Sequence, residues 1–309
     1  MILVTGAGGQ LGSDLVEALV ARHGADHVLA TDLRIDPASP VVRSGARTAL
    51  LDVTDVGALS DLVRKSAPDA VYHLAGILSA RGEQRPDQCW DVNIQGVRNV
   101  LDLAREASFR VFWPSSIAVF GPGTPKMGTP QTTVMNPSTM YGITKVTGEM
   151  LAEYYARRWN VDVRSLRYPG IISWATPPGG GTTDFAPEMF FEARKSPRYT
   201  CFVGPETRLP MMYMPDAVKA ALDLMDADAA RISVRTSYNL TAFSFSAEEL
   251  AAEVCRRVPG FEVTYAPDFR QAIADSWPSI IDDSQARADW GWNPDFDVAA
   301  MADDMLAHL

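Results

Sequence analysis

Tyr141 and Lys145 stand four residues apart in "MYGITK" (140–145), a spacing that puts both on one face of a helix. A free phenol loses its proton only near pH ~10 and is a poor base at neutral pH. An adjacent ammonium favours the phenolate and pulls that value down. Such a pair can take the proton from a bound alcohol; it can equally be an ordinary surface pair. "FWPSSIAVFG" (112–121) adds a third group, bringing Ser115 and Ser116 to the end of an apolar run. A hydroxyl at that edge can hydrogen-bond the reacting oxygen and orient it. The plainer reading is that both serines turn or cap the chain.

"VTGAGGQLGSDL" (4–15) places Gly6, Gly9 and Gly12 between an apolar run and a helix-like stretch. Glycine permits a tight turn with positive φ and removes the Cβ that would block a pyrophosphate. The helix that follows offers free N–H groups and the positive end of its dipole. Asp32 comes 20 residues after Gly12, at the end of the second apolar run. An acid there hydrogen-bonds the adenosine ribose and repels a 2′-phosphate. The pattern predicts a bound dinucleotide, NAD rather than NADP; Arg34 is the one residue nearby that argues for the phosphate.

The elements that must position these groups alternate through the first 170 residues. Apolar, β-branched runs fall at 2–6, 27–32, 47–53, 69–76, 110–116 and 161–170, with helix-like stretches at 10–23, 55–66, 88–107 and 141–159. Continuous apolar strands imply a sheet buried on both faces. Alternating strand and helix imply right-handed crossovers and an α/β, doubly wound parallel sheet of the Rossmann kind. After residue 170 the rhythm breaks into a Pro/Gly/Thr-rich loop at 174–187, a helix at 215–226, a strand at 237–242 and a helix opened by a Ser246–Glu249 capping box. The expected organisation is a dinucleotide-binding domain at 1–170, to which part of 207–242 returns, and a smaller substrate-binding region at 171–206 and 243–309.

Composition narrows the class. The net charge of −10 disfavours a nucleic-acid binder, and no apolar run approaches the length of a membrane helix. Three widely spaced cysteines, Cys89, Cys201 and Cys255, fit neither a disulfide framework nor a metal site. Free thiols imply a reducing compartment; with no export signal in view, the expectation is a cytoplasmic protein without metal.

Together "TGAGGQLG", "YHLAG", "NIQGVRNVL", "SSIAVFG", "YGITK" and "LRYPGI" resemble the extended short-chain dehydrogenase/reductase superfamily, which includes the nucleotide-sugar epimerases. The resemblance implies Ser116, Tyr141 and Lys145 as the catalytic residues, with Ser115 as a neighbour able to share the role. It implies NAD held by Gly6, Gly9, Gln10, Leu11, Gly12, Asp32 and Leu33. Asp52 and Val53 would lie near adenine, and Leu74, Ala75 and Gly76 would line the cofactor. Asn93 would support the site's backbone, Lys145 would anchor the nicotinamide ribose, and Tyr168, Pro169 and Ile171 would lie near nicotinamide. It also implies a homodimer built on a four-helix interface, which fits the apolar residues on more than one face of 88–107 and 141–159.

Three further stretches, "GILSARGEQ" (76–84), "GGGTTDFA" (179–186) and "DSWPSIIDDSQARADWGW" (275–292), are similar to the short-chain-type NAD-dependent L-threonine 3-dehydrogenases. That likeness implies oxidation of L-threonine to 2-amino-3-ketobutyrate. Ser79, Thr182 and Thr183 would offer hydroxyls, Gly180 and Gly181 backbone N–H groups, and Trp277 an apolar lid. Asp184 either faces the ammonium or caps a helix. The glycines at 179–181 suggest a loop, 174–186, that orders on ligand binding. The alternatives are a nucleotide-sugar 4-epimerase or dehydratase and, more distantly, a non-catalytic NAD-binding module. The first needs basic groups for a diphosphate, for which Arg208 is best placed.

Overall fold

In the computed structural model, which describes residues 1–309, the alternating pattern becomes β1 (Ile2–Thr5), α1 (Gln10–His23), β2 (Val28–Asp32), α2 (Pro40–Arg43), β3 (Arg47–Leu50), α3 (Val56–Ser66) and β4 (Ala70–His73). It continues through α4 (Ser79–Gln84), α5 (Pro86–Trp90), α6 (Gly96–Ala107), β5 (Arg110–Ser116), α7 (Met140–Trp159), β6 (Val163–Tyr168) and β7 (Gly170–Ile172). The remainder holds α8 (Phe185–Ala193), β8 (Arg198–Cys201), β9 (Arg208–Tyr213), α9 (Met214–Asp226), β10 (Tyr238–Asn239), β11 (Phe243–Ser246), α10 (Ala247–Arg257), β12 (Glu262–Tyr265), α11 (Arg270–Ala274), α12 (Ser284–Trp290) and α13 (Val298–His308).

The main sheet is parallel, with seven strands in the order β10-β6-β5-β4-β1-β2-β3. This is the doubly wound Rossmann arrangement, and strand order reverses between β1 and β4. The register aligns Thr5 with Thr31 on one side and with His73 on the other. Leu3, Leu29, Val71, Val111 and Val163 from the strands pack with Leu59 and Val63 of α3 and with Val97, Val100 and Leu101 of α6. A sheet covered on both faces needs strands apolar on both faces, which is why these runs do not alternate.

The chain divides into two compact units. The first comprises Met1–Ser116, Ser138–Arg167 and Val218–Tyr238; the second comprises Ile117–Pro137, Tyr168–Ala217 and Asn239–Leu309. The sequence reading keeps 117–137 in the first domain. The structure assigns it to the second, where Thr129 bridges Ile281 and accepts from the Asn239 side chain. The strand expected over 161–170 is also two strands: Pro169 has no N–H to donate, β6 ends before it, and β7 joins a separate sheet ordered β11-β9-β7. In the second unit Asp216, almost wholly buried, accepts from the backbone N–H groups of Asp295 and Phe296 and so anchors the approach to α13. No helix is long and apolar enough to cross a membrane.

The expected helix over 88–107 is interrupted. α5 and α6 are joined by a π-helical turn, Asp91–Gln95. Such turns recur at functional sites, because they re-aim one side chain inside a continuous helix.

Candidate active site

The glycine turn between β1 and α1 is built by close approach. Gly6 has φ +69°, and a Cβ on it would stand 2.4 Å from Ala75 N. A Cβ on Gly12 would stand 2.4 Å from Gly6 O. No other residue fits either position. Gly9 is the N-cap of α1 and supplies no capping side chain, and the first turn holds no acid. Its N–H groups are therefore available to an anion. Asp32, at the end of β2, accepts from Gly8 N at 3.0 Å and from Arg34 N at 3.4 Å, which aims its carboxylate across the same turn. Leu33 beside it is exposed. Asp52 accepts from Thr54 N and Thr54 Oγ1 (2.9 and 2.7 Å), and Asn99 Nδ2 donates to Val53 O at 2.9 Å. These groups fit a dinucleotide: a bare turn for its phosphates and a fixed acid for its ribose.

Asn93, in the π-turn, ties three segments together. Its Oδ1 accepts from Ile77 N at 2.7 Å, and its Nδ2 lies 3.0 Å from both Ile77 O and Thr144 Oγ1. The segment Leu74–Ala75–Gly76 after β4 is thereby fixed against α7.

Ser116 ends β5, while Tyr141 and Lys145 lie in the first turns of α7, whose N-cap Thr139 accepts from Gly142 N at 3.1 Å. Ser116 hydrogen-bonds Tyr141, which favours the phenolate, but burial outweighs it and pushes the phenol up to about 12. Burial likewise pulls the Lys145 ammonium down to about 8. The expectation that Lys145 lowers the Tyr141 value is thus corrected. The ammonium donates to Pro114 O at 2.6 Å and sits over the Trp113 ring at 4.6 Å, and desolvation dominates both groups. Ser115 does not share the role of Ser116. Successive strand residues face opposite ways, and Ser115 Oγ donates to buried Glu149 at 2.6 Å.

Ser79 opens α4 and is half-buried. In the second unit, Tyr168 turns inward, its Oη donating to Ala217 O at 2.7 Å, and Pro169 and half-buried Ile171 follow it. The N–H groups of Gly180 and Gly181 both donate to Asp184 Oδ2 at 2.7 Å. Asp184 occupies the N-cap position of α8 with no capping hydrogen bond from its side chain, which closes back on the glycines. Thr182 is buried, and Thr183 lies against Gly170, where a Cβ would meet it at 2.8 Å. Trp277 is also buried. Arg208 is committed to Ser244 O (2.9 Å) and to Glu249.

Asn99 and Glu149 escaped the sequence reading as functional residues. Asn99 left a faint signal, a polar side chain among Val97, Val100 and Leu101 on the buried face of α6, whereas the buried face of α7 also holds Thr144 and Lys145 and so does not mark Glu149 out.

The profile of the NAD dependent epimerase/dehydratase family matches residues 2–240. An uncharacterised epimerase/dehydratase of Staphylococcus haemolyticus is 46% identical over 306 residues, covering 99% of this chain and 96% of that protein. L-threonine dehydrogenase from Clostridium difficile has a similar structure, with TM-score 0.97 at 43% identity over 100% of this chain and 97% of that one. So does a monomeric L-threonine 3-dehydrogenase from a metagenome, with TM-score 0.95 at 48% identity over 99% and 98%.

Proposed function

Because this chain belongs to the NAD dependent epimerase/dehydratase family and is an enzyme that uses NAD, we propose that its reaction is the oxidation of L-threonine to 2-amino-3-ketobutyrate. The observation that carries this reading is likeness over practically the whole length to L-threonine dehydrogenases. It extends through the second unit, where substrate selectivity on a shared scaffold is decided.

When bound, NAD supplies the acceptor for the hydride leaving the carbinol carbon. Gly6, Gly9, Gln10, Leu11 and Gly12 hold its phosphates. Asp32, Leu33, Asp52 and Val53 hold the adenosine end, and Leu74, Ala75, Gly76, Asn93, Lys145, Tyr168, Pro169 and Ile171 serve the rest. Tyr141 Oη takes the hydroxyl proton of the substrate while Ser116 hydrogen-bonds the same oxygen. Lys145 is the cation of the pair. Burial favours the neutral phenol, so turnover rises with pH across the neutral range. Ser79, Gly181, Thr182, Thr183 and Trp277 recognise the amino acid. A substrate carboxylate on the Gly181 N–H takes the place that the Asp184 carboxylate holds. With Arg208 engaged elsewhere, a nucleotide-sugar diphosphate lacks its expected clamp.

The enzyme is further assigned to the cytoplasm as a homodimer, joined through the exposed Ile143, Met150 and Tyr154 of α7. One similar enzyme is monomeric, so solution mass decides, and a monomer at micromolar concentration removes this part. The function itself is tested by NADH formation with L-threonine, its stereoisomers, serine, 3-hydroxybutyrate and UDP-galactose. L-threonine should be preferred; conversion of UDP-galactose without net NADH would replace this reading with epimerisation.

A further inference from the structure

Behind Ser116 and Lys145 lies a buried ion pair with no part in the proton transfer just described. Glu149 is wholly buried and the Arg167 side chain is 3% exposed. Arg167 Nη2 donates to Glu149 Oε2 at 2.7 Å, and Arg167 Nε lies 3.0 Å from Oε1 and 3.2 Å from Oε2. Ser115 Oγ donates to Oε1 at 2.6 Å. One turn earlier on α7, Lys145 Nζ donates to Pro114 O at 2.6 Å. The end of β5 is therefore fastened to α7 at two consecutive residues, Pro114 by Lys145 and Ser115 by Glu149. Ser116 belongs to the same strand end, and Tyr141 to the same helix.

Stability alone does not account for charges at this depth. Taking both ions out of water is costly, and apolar residues of similar volume often serve as well or better. An apolar pair, however, cannot accept the Ser115 hydroxyl, and it cannot set a negative charge one turn from Lys145. Glu149 does both, and Arg167 fixes which way its carboxylate points.

We propose that Glu149, locked by Arg167 and tied to Ser115, is a positioning residue for the reaction: it holds the end of β5 against α7 so that Ser116, Tyr141 and Lys145 keep their mutual geometry, and it balances the Lys145 charge from within the protein. Burial acts most strongly on Lys145; after it come Cys89 from α5, Glu149 from its own helix and His73 from β4, with the Tyr141 ring 5.4 Å away. Glu149 itself faces Arg167 from β6 and Ser115 from β5. The role rests on the reading of Tyr141 as the base, but one arm of its test needs no substrate.

Two variants separate the parts. Ser115→Ala removes the tether and leaves the ion pair. Glu149→Gln keeps an acceptor for Ser115 and removes the charge. With L-threonine and NAD, Ser115→Ala should lower kcat about tenfold through lost alignment, with KM close to that of the unaltered enzyme and the melting temperature lower by only a few degrees. Glu149→Gln should move the loss of the Lys145 proton, which burial already brings down to about 8, to still lower pH. That titration is read by NMR from the lysine side-chain signals as the difference between each protein and its Lys145→Met counterpart. Should L-threonine prove not to be the substrate, this titration still reports on Glu149. An unchanged kcat in Ser115→Ala overturns the tether. An unmoved Lys145 titration in Glu149→Gln overturns the charge balance; should that variant not fold, the kcat of Ser115→Ala decides the proposal.

Discussion

Mild acid should weaken this fold through one imidazole. His73 closes β4 with its side chain buried. Its Nδ1 shares a hydrogen bond with Thr5 Oγ1 at 2.8 Å, and its Nε2 is buried with no partner. The ring edge faces Gly96, where a Cβ would stand 3.7 Å away. A second proton would put a cation in a space without an acceptor. Burial, with a smaller push from Lys145, therefore holds the imidazole down at about 3, against an ordinary 6.5. The unfolded chain takes up that proton as pH falls through 6.5, whereas the folded chain does not until about 3. The stabilisation is complete above the unfolded value and is lost as pH falls toward the folded one.

That gap corresponds to about 5 kcal/mol over the whole window, of which about 3 kcal/mol is lost between roughly pH 7.5 and pH 4.5. The assay is urea unfolding at those two pH values, for the unaltered protein and for His73→Asn. Asparagine can still bond Thr5 but does not titrate. The variant starts about 1–3 kcal/mol less stable, because the missing ring atoms leave a hole, so the slope is what counts. The unaltered protein should lose about 3 kcal/mol more than the variant on acidification. Equal losses would show that His73 is not held neutral in the folded state, and the account of this buried ring would fall.

Tyr141→Phe should lower kcat by about a thousandfold with little change in NAD affinity by calorimetry; near-normal turnover defeats its assignment as the base. Asp32→Ala removes the acceptor beside Arg34, so kcat/KM should fall with NAD by roughly tenfold and rise with NADP; an unaltered preference would mean that another group reads the ribose. Amide exchange across 174–186 should slow when NAD and L-threonine are both present, and equal protection with and without them removes the proposed ordering of that loop.

The parts of this fold legible in the sequence are those set by local chemistry. α1 and α3 carry their apolar stripe at helical spacing, and α10 announces its start with a capping box that the structure forms in full. The π-turn gave no such sign, because "DVNIQ" contains neither glycine nor proline. Its cause is distant: Asn93 meets Ile77 and Thr144, 16 and 51 residues away along the chain. The placement of 117–137 was hidden for the same reason, since it depends on Asn239 and Ile281.

The candidate site divides along a similar line. Only the family resemblance separates Ser116 from Ser115, whereas Tyr141 and Lys145 could be picked out as a pair because proton transfer needs those residue types at that spacing. Their charge states could not, because desolvation is a property of the folded surroundings and not of the spacing. On an exposed helix, a lysine four residues along would lower the phenol's value. In this site both groups are withdrawn from water, and each is driven toward its neutral form. The reactivity of Tyr141 therefore depends on whatever restores charge to that buried space. Within the protein, Cys89 and, after it, the Glu149 carboxylate on α7 favour a charged Lys145. On the proposed mechanism, an acid on the buried face of a helix, easily passed over as an oddity of composition, belongs to the chemistry alongside the tyrosine.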